Sequence, residues 1–472
     1  MDEEYINETT SETTSETSSK EYVYKTHLNK PELVFNELSQ IEEDIFETME
    51  EYMINEILTM SSPNFYKKFT QDISLHYYDY WLDCGICNED DYEEIEEIVQ
   101  NLSEIYFDIC EVPLRSMFNT NNNNTIEPNI ELLMNKIKKL KDIPQAKQKS
   151  SEWNNIRNNL LTASNIWKIF NSEAQYNSFI YEKCKPLDEN KIDYMNANTN
   201  SSLHWGVKYE PVTIMIYEDM YKTKIDEFGC IPHDKYNFIG ASPDGINCDP
   251  NNKTLFGRML EIKNIYNREI TGNPKEEYWI QTQIQMETCD LDECDFVETR
   301  IKEYENEGQF YQDNEHEYKG IILYFIRRTS AVNNVVTSGI NLPLYKYMPL
   351  EVEKDKNKIE KWIKETKDLY KDEYVLFNTL YWYLDEFSCV LIKRNRLWFE
   401  SALPKIKNAR DIILKERVEG YEHRASKKKI KTAVVVETMN NNDKHIKNLP
   451  LSNHICLVKL SGNESNTFRP LM

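Results

Sequence analysis

Two linked stretches, Phe238-Ile239-Gly240-Ala241-Ser242-Pro243-Asp244-Gly245 and Met259-Leu260-Glu261-Ile262-Lys263, read as a strand running into a turn and a short strand coming back. Pro243 restrains the backbone just before Asp244, and Gly245 suits a sharp exit. Successive side chains of a strand alternate faces, so Glu261 and Lys263 point one way while Leu260 and Ile262 point the other. A hairpin places Asp244 beside Glu261, and two carboxylates and one ammonium converge. Alone, Asp-Gly marks a hairpin turn more often than a metal ligand. The returning Glu-x-Lys makes it a candidate site.

Upstream, Leu203 to Met220 carries Trp205, Tyr209, Val212, Ile216 and Met220 at helical spacing, with Glu210 among them. Pro211 predicts a kink or a late helix start near Glu210. Exposed glutamates are ordinary, so Glu210 gains interest only from its neighbours. Downstream, Tyr278 to Glu287 reads as a helix in which Gln281 and Gln285 share one face, and Gln283 and Glu287 another. Only one of those faces can address the carboxylates. Further upstream lie Trp153, Ile156 and Arg157, then Leu161-Thr162-Ala163-Ser164. Trp153 and Ile156 suit helix-to-core anchors, and Thr162 or Ser164 suits the N-cap of a helix holding Ile166, Ile169 and Phe170. Hydroxyl, helix N-terminus and Arg157 together make an anion site.

Asp and Glu are hard oxygen ligands suited to magnesium, which binds through few carboxylates and keeps several waters. Such a metal acidifies a bound water and polarises a phosphoryl oxygen. Lys263 can orient or deprotonate that water and offset developing negative charge. The residue set predicts magnesium-dependent phosphodiester hydrolysis.

The net charge of −24 argues against a nucleic-acid partner until it is located. Residues 1–100 hold 26 acidic and 5 basic side chains, whereas the rest of the chain holds 54 and 51. Local field decides whether a phosphate backbone can approach, and the stretch with the motifs is near neutral. No run of about 18 apolar residues predicts a membrane span. The polar, acidic first residues lack the apolar core of a secretory signal. Ten cysteines without framework spacing suit a reducing compartment. The Glu run Glu93, Glu94, Glu96, Glu97 is most simply a solvated helix face. The pair Cys84 and Cys87, which His76 and Cys110 could complete, suits buried thiols better than a metal site.

At 472 residues the chain is long enough for two or three domains. The pattern divides it into an acidic Ser/Thr-rich tail (1–25), an acidic helical region (26–145), a nuclease-like domain with C-terminal helices (146–420) and a basic tail (421–472). Helices are expected from Pro31 through Ile57, after Asp91, and over Asn129 to Lys141, with an Asn-rich loop at 119–124. Asp295 to Tyr304 and Tyr318 to Arg328 read as strands. Ile359, Trp362, Ile363, Leu369 and Tyr370 mark a helix that an aromatic-rich helix from Leu376 to Phe387 follows. Trp398, Leu403, Ile406 and Ile413 continue the helical pattern. Arg424 to Lys429 form a basic cluster, and 455–458 a short strand.

Together these residues resemble the YqaJ-like viral recombinase, or bacteriophage lambda exonuclease, family of the restriction-endonuclease-like superfamily. The resemblance spans about Trp153 to Arg300 and rests on four motifs in order. These are Trp153, Arg157 and Thr162-Ala163-Ser164; Trp205-Gly206 with Glu210; Ser242-Pro243-Asp244-Gly245 with Glu261 and Lys263; and Tyr278, Gln281 and Gln283. The resemblance implies an α+β (α/β) fold with a restriction-endonuclease-like core, a central mixed sheet flanked by helices. It implies that Asp244 and Glu261 hold Mg2+ (Mn2+ as substitute) with the Ile262 carbonyl. Glu210 is then an outer or second ligand, Lys263 the catalytic lysine, and Gln281 an amide at the metal site. Arg157, Ser164 and Thr162 would take a DNA phosphate, and Arg268 and Gln283 are further DNA-contact candidates. The family's Cys-Pro after the lysine is replaced by Asn264-Ile265, which leaves exonuclease against endonuclease action open. The expected activity is 5′-to-3′ digestion of DNA in viral recombination; the alternatives are a structure-specific endonuclease and a non-catalytic DNA-binding or scaffold protein. Double-stranded DNA with ends, a single-strand annealing protein and further copies of the chain are the expected partners, inside a host cytoplasm or nucleus.

Overall fold

The computed structural model describes residues 40–110, 112–118, 129–145, 151–187, 201–328, 343–352 and 355–426. The expectations for the tail 1–25, Pro31, Leu38, the Asn tract at 119–124, Lys427 to Lys429 and the strand at 455–458 lie outside them.

Helices α1 (Gln40–Glu56), α2 (Phe65–Asp83) and α3 (Tyr92–Ile109) come first, followed by β1 (Met117–Phe118) and α4 (Ile130–Asp142). Then come α5 (Ser151–Asn159), β2 (Leu161–Thr162), the one-turn α6 (Ala163–Ile166), α7 (Glu173–Cys184) and α8 (Ser202–Tyr221). Five strands follow: β3 (Ile225–Asp226), β4 (Ile231–Pro232), β5 (Ile239–Ala241), β6 (Gly245–Asn247) and β7 (Met259–Asn264). After α9 (Glu276–Cys289) run β8 (Glu293–Glu303), α10 (Glu307–Gln312), β9 (Lys319–Arg327), β10 (Leu344–Tyr347), α11 (Lys356–Tyr370), β11 (Tyr374–Lys393) and α12 (Arg396–Glu419).

The large sheet has the order β10-β9-β11-β8-β7-β6-β3, with β1 also on β11. Among the described residues only its β7–β8 pair is parallel, so the sheet is mixed. A second sheet has the order β2-β5-β4. The expected α+β architecture, a mixed sheet flanked by helices with a helical region before it, is the one adopted. Helix α8 covers one face, where Tyr209, Val212 and Ile216 meet Ile301, Ile322 and Trp382. Beside them Tyr217 meets Leu260, Ile262 and Val297. Helix α9 covers the other face, its Trp279, Ile280, Ile284 and Met286 sharing a core with Met259, Phe296, Val390 and Ile392. A parallel β7–β8 pair needs a crossover, and α9 supplies it.

Several expectations are corrected. Leu376 to Phe387 is strand, not helix: it lies inside β11, paired to β9 and β8. Apolar and aromatic residues of β11 pack into clusters on either side of it, and irregularities between Leu376 and Asn378 and between Leu384 and Glu386 break the two-residue alternation. Aromatic residues on both sides of a bulged strand mimic a helical stripe. Helix α8 begins at Ser202 and runs through Pro211, so there is no late start at Glu210. Gly245 lies in extended strand, and its need is steric, since a Cβ there would lie 2.1 Å from Ile225 Cγ2. Of the cysteines expected to be buried, Cys84 is exposed and Cys87 half-buried. Helix α2 was not anticipated.

The helical region and the nuclease-like region share one hydrophobic core that joins Phe65, Phe69 and Phe107 to Trp279 and Trp398. Their described residues belong to one compact unit, so packing shows no break at residue 145. The joint is polar at one point. Arg115, 2% exposed, donates to the Ser61 carbonyl at 3.1 Å, to Asn273 Oδ1 and to the Pro274 carbonyl. Trp279 Nε1 returns a bond to the Arg115 carbonyl at 2.8 Å, and Ser61 Oγ donates to Glu276 at 2.7 Å. Replacing Arg115 by Met strands buried carbonyls, each worth about 1–3 kcal/mol. Urea denaturation of Arg115→Met should show a loss of at least about 2 kcal/mol in one transition. Two separate transitions would contradict a shared core.

Candidate active site

Strands β6 and β7 pair antiparallel with Gly245 opposite Leu260, which sets Asp244 opposite Glu261 at the mouth of the hairpin. The Ile262 N–H donates to Asp244 Oδ2 at 2.7 Å, in place of a ladder bond beyond the end of β6. Glu261 is 1% exposed. An isolated buried carboxylate is costly, and here both oxygens are met. Lys263 and Gln281 Nε2 (2.7 Å) donate to Oε1, and Gln285 Nε2 (2.7 Å) donates to Oε2. Gln281 Oε1 lies 3.4 Å from Lys263 Nζ, and that ammonium sits 4.9 Å from the Tyr278 ring centre.

Burial pushes the Asp244 carboxyl well above the usual carboxylate range, and the charges of Glu261 and Glu210 push the same way. Lys263 and the Ile262 N–H pull it back only in part. The charge of Glu210, on α8, also acts on Asp244. Burial favours loss of the Lys263 proton, but Glu261 and Asp244 outweigh it and hold the ammonium above its ordinary range. Three acids against one lysine leave an excess of negative charge, the electrostatic signature of a cation site. Among the described residues no group of three or more His, Cys, Asp or Glu side chains forms a ready cage for a metal. Magnesium needs none, because it is held through one or two carboxylates and keeps its waters. A second sign of an incomplete site is the buried Gln285 Oε1, which has no hydrogen-bond partner among the described residues.

The anion-site candidates gather next door. Strand β2 pairs with β5, Thr162 beside Gly240, which brings α6 to the start of the Ser242-Pro243-Asp244 turn. Arg157 Nη2 lies 3.4 Å from Ser164 Oγ, its guanidinium 4.5 Å from the Trp153 ring centre. Thr162 occupies the N-cap position without a side-chain cap bond, its Oγ1 3.5 Å from Ser164 Oγ. Among the described residues no carboxylate pairs with Arg157, and burial lowers its pKa. Lys183, unnoticed in the sequence, fixes this corner by donating to the carbonyls of Arg157 (2.8 Å) and Leu160 (2.6 Å). Burial and the nearby Arg157 and Arg417 bring its pKa down to about 8.

Two candidates make other contacts. Arg268 is ion-paired to the buried Glu298, and its guanidinium lies 5.8 Å from the centre of the Tyr278 ring that Lys263 also faces. Gln283 is 1% exposed, and its amide bonds the Lys393 carbonyl (3.0 Å) and the Asn395 N–H (2.7 Å) at the β11–α12 junction. Its face of α9 continues with Glu287, which holds Arg394. Gln285, which the i,i+4 spacing had paired with Gln281, is the amide on the site's face.

Residues 152–292 match the YqaJ-like viral recombinase domain family. The uncharacterized protein R354 of Acanthamoeba polyphaga mimivirus is 31% identical over 307 residues, which cover 58% of this chain and 54% of that protein. The chain thus spans about half the length of that curated relative. Among solved structures, an alkaline exonuclease (LHK-Exo) from Laribacter hongkongensis is 17% identical, with a TM-score of 0.30 over 58% of this chain and 95% of that one. A phage related exonuclease from Haemophilus somnus 129PT is 13% identical, with a TM-score of 0.27 over 56% and 96%. Such scores carry no argument about activity.

An acid whose folded pKa is raised contributes stability below its ordinary pKa and loses it as pH rises through the folded value. In EDTA, Asp244→Asn should therefore melt higher than wild type by about 0.5–2 kcal/mol of stability. The gain should widen as pH increases through the folded pKa. A variant that melts lower than wild type across that range would show that the acids do not repel one another.

Proposed function

We propose that the YqaJ-like viral recombinase domain at residues 152–292 makes this chain a magnesium-dependent DNA nuclease. The observation that carries the reading is the convergence of Asp244, Glu261 and Lys263 at the hairpin mouth, with the charge of Glu210 acting on Asp244. Asp244 and Glu261, with the Ile262 carbonyl, would hold Mg2+ or Mn2+, and Glu210 would act as outer or second ligand. When bound, the metal would supply Lewis acidity and an acidified water.

The chain's own groups do the rest. Lys263, held protonated by its carboxylate neighbours, donates to the attacking water and to phosphate charge in the transition state. Gln281 and Gln285 keep the Glu261 carboxylate from rotating. Arg157, with Ser164 and Thr162, receives a DNA phosphate, because a desolvated guanidinium beside hydroxyls is an anion receptor. A receptor beside the cleavage centre favours digestion from a DNA end, the 5′-terminal phosphate fitting it, and hence exonuclease action. Gln283, bonded at the β11–α12 junction, is left out of this reading, and Arg268, beside Tyr278, stays a candidate DNA contact. The mimivirus relative supports a viral setting, with a role in DNA recombination inside the host cell. A single-strand annealing protein and further copies of the chain are its proposed partners.

Purified protein with Mg2+ should degrade linear DNA and spare covalently closed circles, and EDTA should stop it. Lys263→Ala should lower the rate about 100- to 1000-fold without loss of DNA binding. Nicking of closed circles would replace the exonuclease reading by an endonuclease one. DNA binding without cleavage of either substrate would refute the enzyme. Arg157→Ala should remove a preference for 5′-phosphorylated over 5′-hydroxyl ends, measured as the ratio of the two rates; an unchanged ratio would remove Arg157 from end recognition.

A further inference from the structure

Asn264 ends β7, directly after Lys263. Its Oδ1 accepts from Thr213 Oγ1 of α8 at 2.9 Å and from Thr299 Oγ1 of β8 at 2.8 Å, and the two hydroxyl oxygens are 3.0 Å apart. Both threonines are fully buried. Its Nδ2 faces the carbonyl of Gly206 at 3.4 Å. Gly206, Glu210 and Thr213 lie at i, i+4 and i+7, on one face of α8, so the Asn264 amide spans the two helical turns that present Glu210. That stretch needs external support. Pro211 offers no N–H to the Val207 carbonyl, and its ring crowds that carbonyl. The side chains that bond α8 here come from the sheet. Besides Asn264, the Tyr347 hydroxyl donates to the Lys208 carbonyl at 2.9 Å, and further along Tyr217 donates to Asp295 at 2.6 Å. A closed, buried polar triangle admits one register where an apolar contact would tolerate sliding.

We propose that Asn264, acting through Thr213, is a positioning residue that sets Glu210 against Asp244 and Glu261 and thereby sets the affinity for a divalent cation. The proposal rests on the metal-dependent nuclease reading above. It is tested on the full chain by calorimetric titration with Mn2+ in the absence of DNA, and by the Mg2+ concentration that half-saturates hydrolysis of linear DNA. Asn264→Ala and the isosteric Thr213→Val should each weaken Mn2+ binding roughly 10- to 100-fold, and Thr213→Ser, which keeps the hydroxyl, should restore it. The double variant should be no weaker than the worse single one, because both break one bridge. A Thr213→Val protein with wild-type Mn2+ affinity overturns the proposal, and if wild type cleaves DNA the nuclease reading survives it. The expected binding pattern without cleavage upholds the positioning role and removes the nuclease. Wild-type protein that binds no Mn2+ ends both.

Discussion

The structure depends on keeping one carboxylate out of water. Glu261 stands inside the sheet at 1% exposure, where an uncompensated charge would cost several kcal/mol even after relaxation. Its cost is offset by Lys263 two residues along the same strand and by Gln281 and Gln285 from α9. That demand explains why a helix buried on nearly every side carries glutamines at all. It also fixes α9 in rotation and in height on the sheet, since two amides four residues apart must reach the two oxygens of one carboxylate.

Once α9 is fixed, its other contacts follow. Its back face clasps the β11–α12 junction through Gln283 and Glu287. Its N-terminal end is locked to the acidic helical region through Trp279, Glu276 and the buried guanidinium of Arg115. The acidic first part of the chain thus shares the core that holds the site, its Glu93, Glu94 and Glu97 turned to solvent. A strongly negative protein can present a near-neutral working face because charge is distributed by surface.

The proposed cation site carries a tension that a purely structural ion pair would not. Glu261 and Asp244 flank one lysine, the charge of Glu210 acts on Asp244, and burial already disfavours the charge on Asp244. Groups selected for stability would relieve that repulsion, whereas functional sites retain it. Arg157 makes the complementary case, a half-buried cation to which no described carboxylate is paired. An excess of negative charge and an unpaired positive group side by side are what a metal and a phosphate would each complete.

Local physics made much of this legible in the sequence. The alternation of Glu261 and Lys263 and the hairpin back to Asp244 follow from the two-residue period of a strand. Helices α3, α8, α9 and α12 were visible because each buries one stripe or a long apolar run. Other features were decided only by partners distant in the chain. Leu376 to Phe387 became strand because β8 and β9 pair with it on either side, and its bulges and the apolar residues on both its faces erased the alternation that would have revealed it. Gly245 owes its place to the Ile225 side chain, not to a turn. Which face of α9 serves the site, and the turning of Gln283 away from it, depended on Glu261 and the β11–α12 junction. The sequence by itself determined which residues could make a charged site, because spacing within a strand is local. Only the tertiary structure decided which of the surrounding polar groups reach it, because a buried side chain bonds whatever the fold sets within about 3 Å.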